Sequence, residues 1–278
     1  MSSFGISIVE NKNVKILERF LYFIYSRFIK MAQFTPFHIS NSEMISPFEK
    51  CTNNSIPNNH GWIFNDENTF CISLMSHQSR WEKMQSRFCA LDISATRFPA
   101  AVGNTHDIRD QFYDYLNAGQ RGCGQSHINV WRYIVSNHIP YALILEDDAC
   151  FDKRWREKLD AFFQQVCDPE WDAIFLNVSE PITPSYQWKP IQEQYLTGGY
   201  IISQKGARRI LSLFDGYYGS SDWMTTRLQL EGHSYSYFPW LIIQEGDEST
   251  IGSGVDADHA KVLRCLSALE YSLDNYLI

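Results

Sequence analysis

The sequence predicts an α/β fold, and two observations predict it. Beyond Thr69, short apolar runs alternate with stretches of helical periodicity, as they do when strands and helices succeed one another. One of those runs, YALIL at 141–145, is continuously apolar, the pattern of a strand covered on both faces, and it stops at three acids, Glu146, Asp147 and Asp148. The 278 residues, 44% hydrophobic and 15% aromatic, are enough to bury one substantial core, and no internal repeat points to a solenoid.

Taken in order, residues 1–39 predict an amphipathic helical segment, with Leu17, Phe20, Leu21, Ile24 and Phe28 on one face. The apolar stretch Ile16 to Ile29 is interrupted by Glu18, Arg19 and Arg27 and falls short of the roughly 20 apolar residues a membrane span needs. The segment also lacks the basic start and small-residue cleavage site of a secretory signal. Its expected role is docking on the main domain or on a second subunit, as in a homo-oligomer; weak contact with a membrane surface is the alternative. Residues 40–68, rich in Asn, Ser and Pro, read as a polar linker, so a single catalytic domain is expected over 69–278.

Within that domain FCISLM at 70–75 reads as a strand and SRWEKMQSRF at 79–88 as a helix. Ser126 is a candidate cap for the next helix, whose Ile128, Trp131, Ile134 and Val135 share a face before His138 and Pro140 end it. After the 141–145 strand come a helix-like WREKLDAFFQQV, the apolar run AIFLN at 173–177, a strand YIIS at 200–203 behind Gly198 and Gly199, and a helix at 205–214. The last strand is expected in YSYFPWLIIQ at 235–244, where Pro239 suggests an edge or a bulge.

Charge and cysteine usage narrow the function. A net charge of −8 offers no broad positive field for nucleic acid or an anionic membrane. The seven cysteines form no CxxC pair and are odd in number, so they read as reduced, packed thiols in a cytoplasmic setting, bacterial, viral or host.

Three carboxylates at the carboxyl end of a covered strand stand where open α/β sheets bind their ligands. They repel one another and are costly to desolvate unless a cation or hydrogen bonds compensate. Hard oxygen ligands favour Mg²⁺ or Mn²⁺, which keeps positions open for substrate phosphates. In extended chain Glu146 and Asp148 point to one side and Asp147 to the other. The alternative is a solvated turn or a helix cap.

The segment GQRGCGQSHINVWRYIVSNHIPYALILEDDACFD, Gly119 to Asp152, resembles glycosyltransferase family 25, which includes bacterial lipopolysaccharide galactosyltransferases and collagen galactosyltransferases. SLMSHQSRWEKM, FPAAVG, WDAIFLN, LTGGYIISQKGARRIL, SDW and PWLIIQEGDESTIGS continue the likeness in order, so that it spans roughly residues 69 to 255. The resemblance implies a nucleotide-binding domain of the glycosyltransferase A type, with a mixed, mostly parallel sheet flanked by helices. It also implies a UDP-sugar donor carrying galactose or glucose, Mn²⁺ or Mg²⁺, and inversion at the anomeric carbon. The implied acceptor is a glycan, a lipid-linked sugar or a protein-borne glycan. Two departures stand out. Ser73, Met75, Ser76 and His77 replace the usual residues of the first turn, where Arg80 is kept, and Thr197-Gly198 stands where the family has Thr-His.

By position the resemblance assigns Glu146 and Asp148 to the metal, Asp148 foremost, and Glu146 and Asp147 to the donor. Ser73, Arg80, Gly122, Thr197 and Gly199 are expected around the same donor, Arg80 on the diphosphate or on an acid. Gly124 and Gly198 suggest further close backbone approach. Asp222, after a Gly/Ser turn, is the candidate base, with an N-cap as its alternative and Asp247 in reserve. His127 either orients the acids or packs in the core. His259 is a candidate metal ligand or a solvated loop residue. Tyr200, Trp223 and Trp240 are candidate stacking residues, with core packing as the alternative. Two other classes compete with a transferase: a catalytically silent sugar-binding or scaffold protein of the same fold, and a phosphohydrolase, whose second set of strand-end acids or histidines is missing.

Overall fold

The computed structural model of the chain describes residues 62–179, 186–214, 217–245 and 263–278. The expected N-terminal helix and most of the linker lie outside them, as do Asp247 and His259. The strands are β1 (Thr69–Ser73), β2 (Thr96–Pro99), β3 (Tyr141–Glu146), β4 (Ala149–Phe151), β5 (Ala173–Phe175), β6 (Trp188–Pro190), β7 (Gly199–Ser203), β8 (Ser234–Tyr237) and β9 (Ile242–Gln244). The helices are α1 (Gln78–Ala90), α2 (His106–Arg109), α3 (Ala118–Ser136), α4 (Trp155–Asp160), α5 (Phe162–Gln165), α6 (Gln204–Ser212) and α7 (Ser221–Glu231).

Seven strands form one mixed sheet in the order β2-β1-β3-β7-β5-β8-β6. The parallel pairs β1/β2, β1/β3 and β5/β8 and the antiparallel pairs around β7 and β6 leave five strands pointing one way. The fold is therefore the α/β class expected. Alternate strand residues feed two cores. Phe70, Ile144 and Ile202 meet Ile128, Trp131, Ile210 and Leu228 of α3, α6 and α7 on one face. Cys71, Leu143, Leu145 and Ile201 meet Met84, Phe88, Leu159 and Phe162 of α1, α4 and α5 on the other. This two-sided cover explains why β3 is apolar throughout.

Three sequence expectations change. Helix α3 begins at Ala118, capped reciprocally by Asn117 and Gln120, while Ser126 lies inside it and bonds the Gly122 carbonyl at 2.7 Å and the Ala101 amide at 2.8 Å. The run 235–244 is two strands: β8 belongs to the large sheet, β9 pairs with β4 in a small one, and a cis Phe238–Pro239 bond lies between them. Residues 62–68, read as the end of the linker, pack against the domain. Trp62 and Phe64 are buried, the Trp62 ring stacks 4.8 Å from Phe163, and its Nε1 donates to the Leu159 carbonyl at 3.3 Å.

Candidate active site

Register places the chemistry. Because β1 and β3 are parallel with Ile72 opposite Glu146, the turn after Ser73 and the acids after Leu145 emerge at the same sheet edge. Strand β7 is reversed, with Gly199 opposite Leu145, so its beginning, Thr197 and Gly198, reaches that edge too. The small sheet sets Gln244 opposite Ala149, next to Asp148. A cleft opens there, lined by Ser73, His77, Arg80, Gly122, the three acids and Gln244, among others.

Arg80, on α1, directs Nη2 to Asp147 Oδ1 at 2.7 Å and to Asp148 Oδ2 at 3.3 Å. In this state it is the acids, of the two partners expected, that hold it. The neighbouring Ser73 hydroxyl favours the charged form of Asp147. Arg97 braces the turn that carries these residues, donating to the Leu74 carbonyl at 2.7 Å and to Ser73 Oγ at 3.2 Å. Gln244 Nε2 bridges Glu146 Oε2 at 3.2 Å and Asp148 Oδ1 at 3.3 Å. Neither Arg97 nor Gln244 stood out in the sequence.

Behind the cleft, Glu146 Oε1 collects donors: Thr197 Oγ1 at 2.7 Å and His127 Nε2 at 3.2 Å, with the Cys123 thiol at 3.8 Å. His127 Nδ1 meets the Tyr200 hydroxyl at 2.8 Å, and Trp131 Nε1 donates to that same hydroxyl at 2.8 Å. All three rings are fully buried, which sets the tautomer. Trp131 can only donate and the Glu146 carboxylate can only accept, so a neutral imidazole satisfies the chain with Tyr200 giving its proton to Nδ1 and His127 giving its Nε2 proton to Glu146. His127 thus packs in the core and touches Glu146 as well, and Tyr200 and Trp240, both fully buried, stack on no ligand. Cys123, His127 and Glu146 offer ligand atoms within 4.8 Å of one another. The hydrogen-bond chain uses both His127 nitrogens, however, and burial together with the Glu146 charge pushes the Cys123 thiol well up, away from the thiolate a metal needs.

The acids differ electrostatically. Burial would raise the Glu146 carboxyl, but the His127 and Thr197 hydrogen bonds and the Arg80 charge outweigh it and hold it below the ordinary value. Burial and the Glu146 charge raise Asp148 to about 7, and burial raises Asp147. Asp147 and Asp148 face the cleft with Arg80 as the cation touching both among the described residues. Hard carboxylate oxygens so under-compensated suit a divalent cation such as Mn²⁺ or Mg²⁺.

The remaining candidates fall around this centre. Gly122 lets α3 approach the 100–104 loop, since a Cβ there would lie 2.7 Å from the Ala101 carbonyl oxygen. At Gly198 a Cβ would lie 2.6 Å from Gln244 Cγ, and Gly199 and Gly124 are close-packed against Ile242 and Phe112. Thr197 is buried behind Glu146 and is outside the cleft lining. Asp222 stands in the first turn of α7, half-buried, with Oδ1 accepting from Ser220 Oγ at 2.5 Å and from the Trp223 amide at 2.8 Å. Its neighbour Ser221 touches Thr197 Oγ1 at 3.0 Å and Cys123 Sγ at 3.2 Å, so Asp222 flanks the cleft without lining it.

Comparison with known proteins agrees with this geometry. Residues 66–179 match the profile of glycosyltransferase family 25 (LPS biosynthesis protein). Procollagen galactosyltransferase 1-A of Xenopus laevis is 26% identical over 171 residues, 52% of this chain and 28% of that protein. A glycosyltransferase 25 family member of Drosophila melanogaster is 28% identical over 51% of the chain and 27% of its own length. Inactive glycosyltransferase 25 family member 3 of Homo sapiens is 26% identical over 52% and 29%. The chain thus spans under a third of the length of these relatives. A glycosyltransferase involved in the glycosylation of the major capsid of PBCV-1 aligns over 70% of this chain and 98% of its own at 7% identity, with a TM-score of 0.31, too low to bear on the fold. The similarity to glycosyltransferase family 25 thus runs through residues 66–179, the stretch that carries β1 to β5 and the acid-tipped β3.

Proposed function

We propose that the chain transfers a hexose, galactose or glucose, from a UDP-sugar to a hydroxyl of a glycan, a lipid-linked sugar or a protein-borne glycan, with a divalent metal and inversion. The observation that carries this reading is the cleft at the carboxyl edge of β1 and β3, where Asp147 and Asp148 face Arg80 within the family 25 segment. Asp148, with Glu146 behind it, would hold the cation, which when bound neutralises the diphosphate leaving group as a Lewis acid. The chain's own residues do the rest. The Trp131–Tyr200–His127 chain and Thr197 fix the Glu146 carboxylate, and Gln244 ties it to Asp148. Arg80 is placed to exchange an acid for a phosphate oxygen. Asp222, whose Oδ1 is engaged by its own helix, offers its other oxygen to the proton of the acceptor hydroxyl, with Asp247 in reserve. His259 remains a candidate for the metal.

A second reading, a catalytically silent protein of the same fold, is favoured by one finding: relatives of similar identity are named inactive family members. A thermal-shift screen of UDP-galactose, UDP-glucose and other nucleotide sugars, with and without Mn²⁺, separates donor binding from its absence. Donor hydrolysis or transfer that is lost in Asp148→Asn, with folding intact, then establishes turnover; donor binding without any turnover supports the silent reading. We place the protein in the cytosol, on the six described cysteines that are free thiols. No helix of the described residues is long and apolar enough to cross a membrane. Residues 1–39 are proposed as a docking helix, for this domain or a second copy.

A further inference from the structure

Beside Asp222 the surface turns aromatic. The Tyr113 and Tyr115 rings stack 5.6 Å apart at 15°, Tyr217 lies 5.9 Å from Tyr113, and Trp223 meets Tyr113 edge-on at 6.0 Å. The Arg227 guanidinium covers the other part of the cluster, 4.9 Å from the Trp223 ring centre. Much of this is open to solvent, with Tyr115 66% and Tyr217 58% exposed. Clusters of exposed large rings mark ligand-binding or interaction surfaces.

Two stretches of chain lead from the cluster to the cleft. The loop that carries Tyr113 and Tyr115 runs directly into Ala118 and Gly119, which line the cleft at the start of α3. Trp223 follows Asp222 in the first turn of α7, where Ser221 touches Cys123 of the cleft lining at 3.2 Å. The chemistry of the patch is also specific. Its exposed rings are phenols rather than aliphatic side chains, and it is flanked by a carboxylate at Asp222 and a guanidinium at Arg227. A pyranose has the matching form, with one apolar C–H face to lie on a ring and hydroxyls at its edge for carboxylate, guanidinium and phenol.

We infer that Tyr115, Tyr217 and Trp223 form an acceptor subsite, which stacks against the C–H face of a neutral pyranose and holds that sugar beside Asp222. The inference rests on the transferase reading, and assigns the residues that would receive the acceptor sugar.

Saturation-transfer NMR on the full chain tests it, with methyl β-galactopyranoside and methyl β-glucopyranoside as probes and UDP with Mn²⁺ present. Transfer is expected to the axial C–H protons of at least one probe. Tyr115→Ala and Tyr217→Ala should each weaken that binding about three- to tenfold, the worth of one ring contact. Trp223→Phe should retain part of it, and keeps a ring where Trp223→Ala risks unfolding α7. No transfer to either probe, or undiminished transfer in the Tyr115→Ala/Tyr217→Ala double variant, overturns the inference. So does a dimer in sedimentation that the double variant converts to monomer, because the patch would then be an interface between copies. Thermal stabilisation by UDP and Mn²⁺ is read separately: its absence in the wild type, with sugar stacking intact, defeats the donor reading and leaves the subsite standing.

Discussion

Tyr200→Phe removes one oxygen from a fully buried site and should be among the more damaging conservative changes in the chain. That hydroxyl accepts from Trp131 Nε1 at 2.8 Å and faces His127 Nδ1 at 2.8 Å, and neither ring has solvent to turn to. The substitution therefore orphans an indole donor and an imidazole acceptor together. Each buried unsatisfied group costs about 1–3 kcal/mol, so the pair should cost about 2–6 kcal/mol. At about 2–4 °C per kcal/mol for a domain of this size, Tm should fall by about 4–24 °C. Urea unfolding followed by fluorescence measures the free energy, and the slope with denaturant should stay unchanged. His127, freed at Nδ1, also holds Glu146 less firmly, so affinity for UDP with Mn²⁺ should drop in the variant that remains folded. A loss below about 0.5 kcal/mol, within the range of a neutral surface change, would refute the proton order assigned to this chain.

Three further outcomes are expected. Gly198→Ala places a methyl 2.6 Å from Gln244 Cγ, so Gln244 must leave its bridge between Glu146 and Asp148; calorimetry should show Mn²⁺ affinity about tenfold weaker with the fold retained. Trp62→Ala should cost about 3–5 kcal/mol in urea unfolding, as for any buried aromatic, whereas a value near zero would return residues 62–68 to the linker. Asp168 supplies a pH dependence. Partial burial would raise its carboxyl, but hydrogen bonds from Tyr235 and His233 outweigh it and hold it below the ordinary value. Its folded value lies under its unfolded one, so its contribution is present above about pH 4 and is lost as pH falls through the folded value. Asp168→Asn should flatten the stability profile across that acidic window, and a profile parallel to wild type would contradict the assignment.

The centre of the fold was legible because its signals were local. A strand buried on both faces must be apolar throughout, and three acids at its end have few structural uses, so β3 and its tip could be read from eight residues. The start of α3 was not read, since Gly119, Gly122 and Gly124 suggest a loop by propensity. Gly122 lets the helix pack closely on the 100–104 loop and Gly124 on Phe112, and the capping pair Asn117 and Gln120 was the signal available. The run 235–244 read as one strand because periodicity does not record which sheet a strand joins. Gln244 and Arg97 escaped notice for a related reason. Their roles exist only once β9 lies beside β4 and β2 beside β1, pairings that no spacing in the chain announces. Tyr200 read as a candidate ligand platform, yet β7 turns its ring inward, where the hydroxyl serves His127.

The claim that strand-end acids hold a cation which in turn binds a diphosphate is tested most directly by titrating UDP into the full chain by calorimetry, with Mn²⁺ and with a chelator. Wild type should bind UDP with Mn²⁺ at least tenfold more tightly than without it, and Asp148→Asn, folded to the same extent, should lose that difference. Equal affinity with and without the metal, or a metal dependence that survives in Asp148→Asn, would contradict the account.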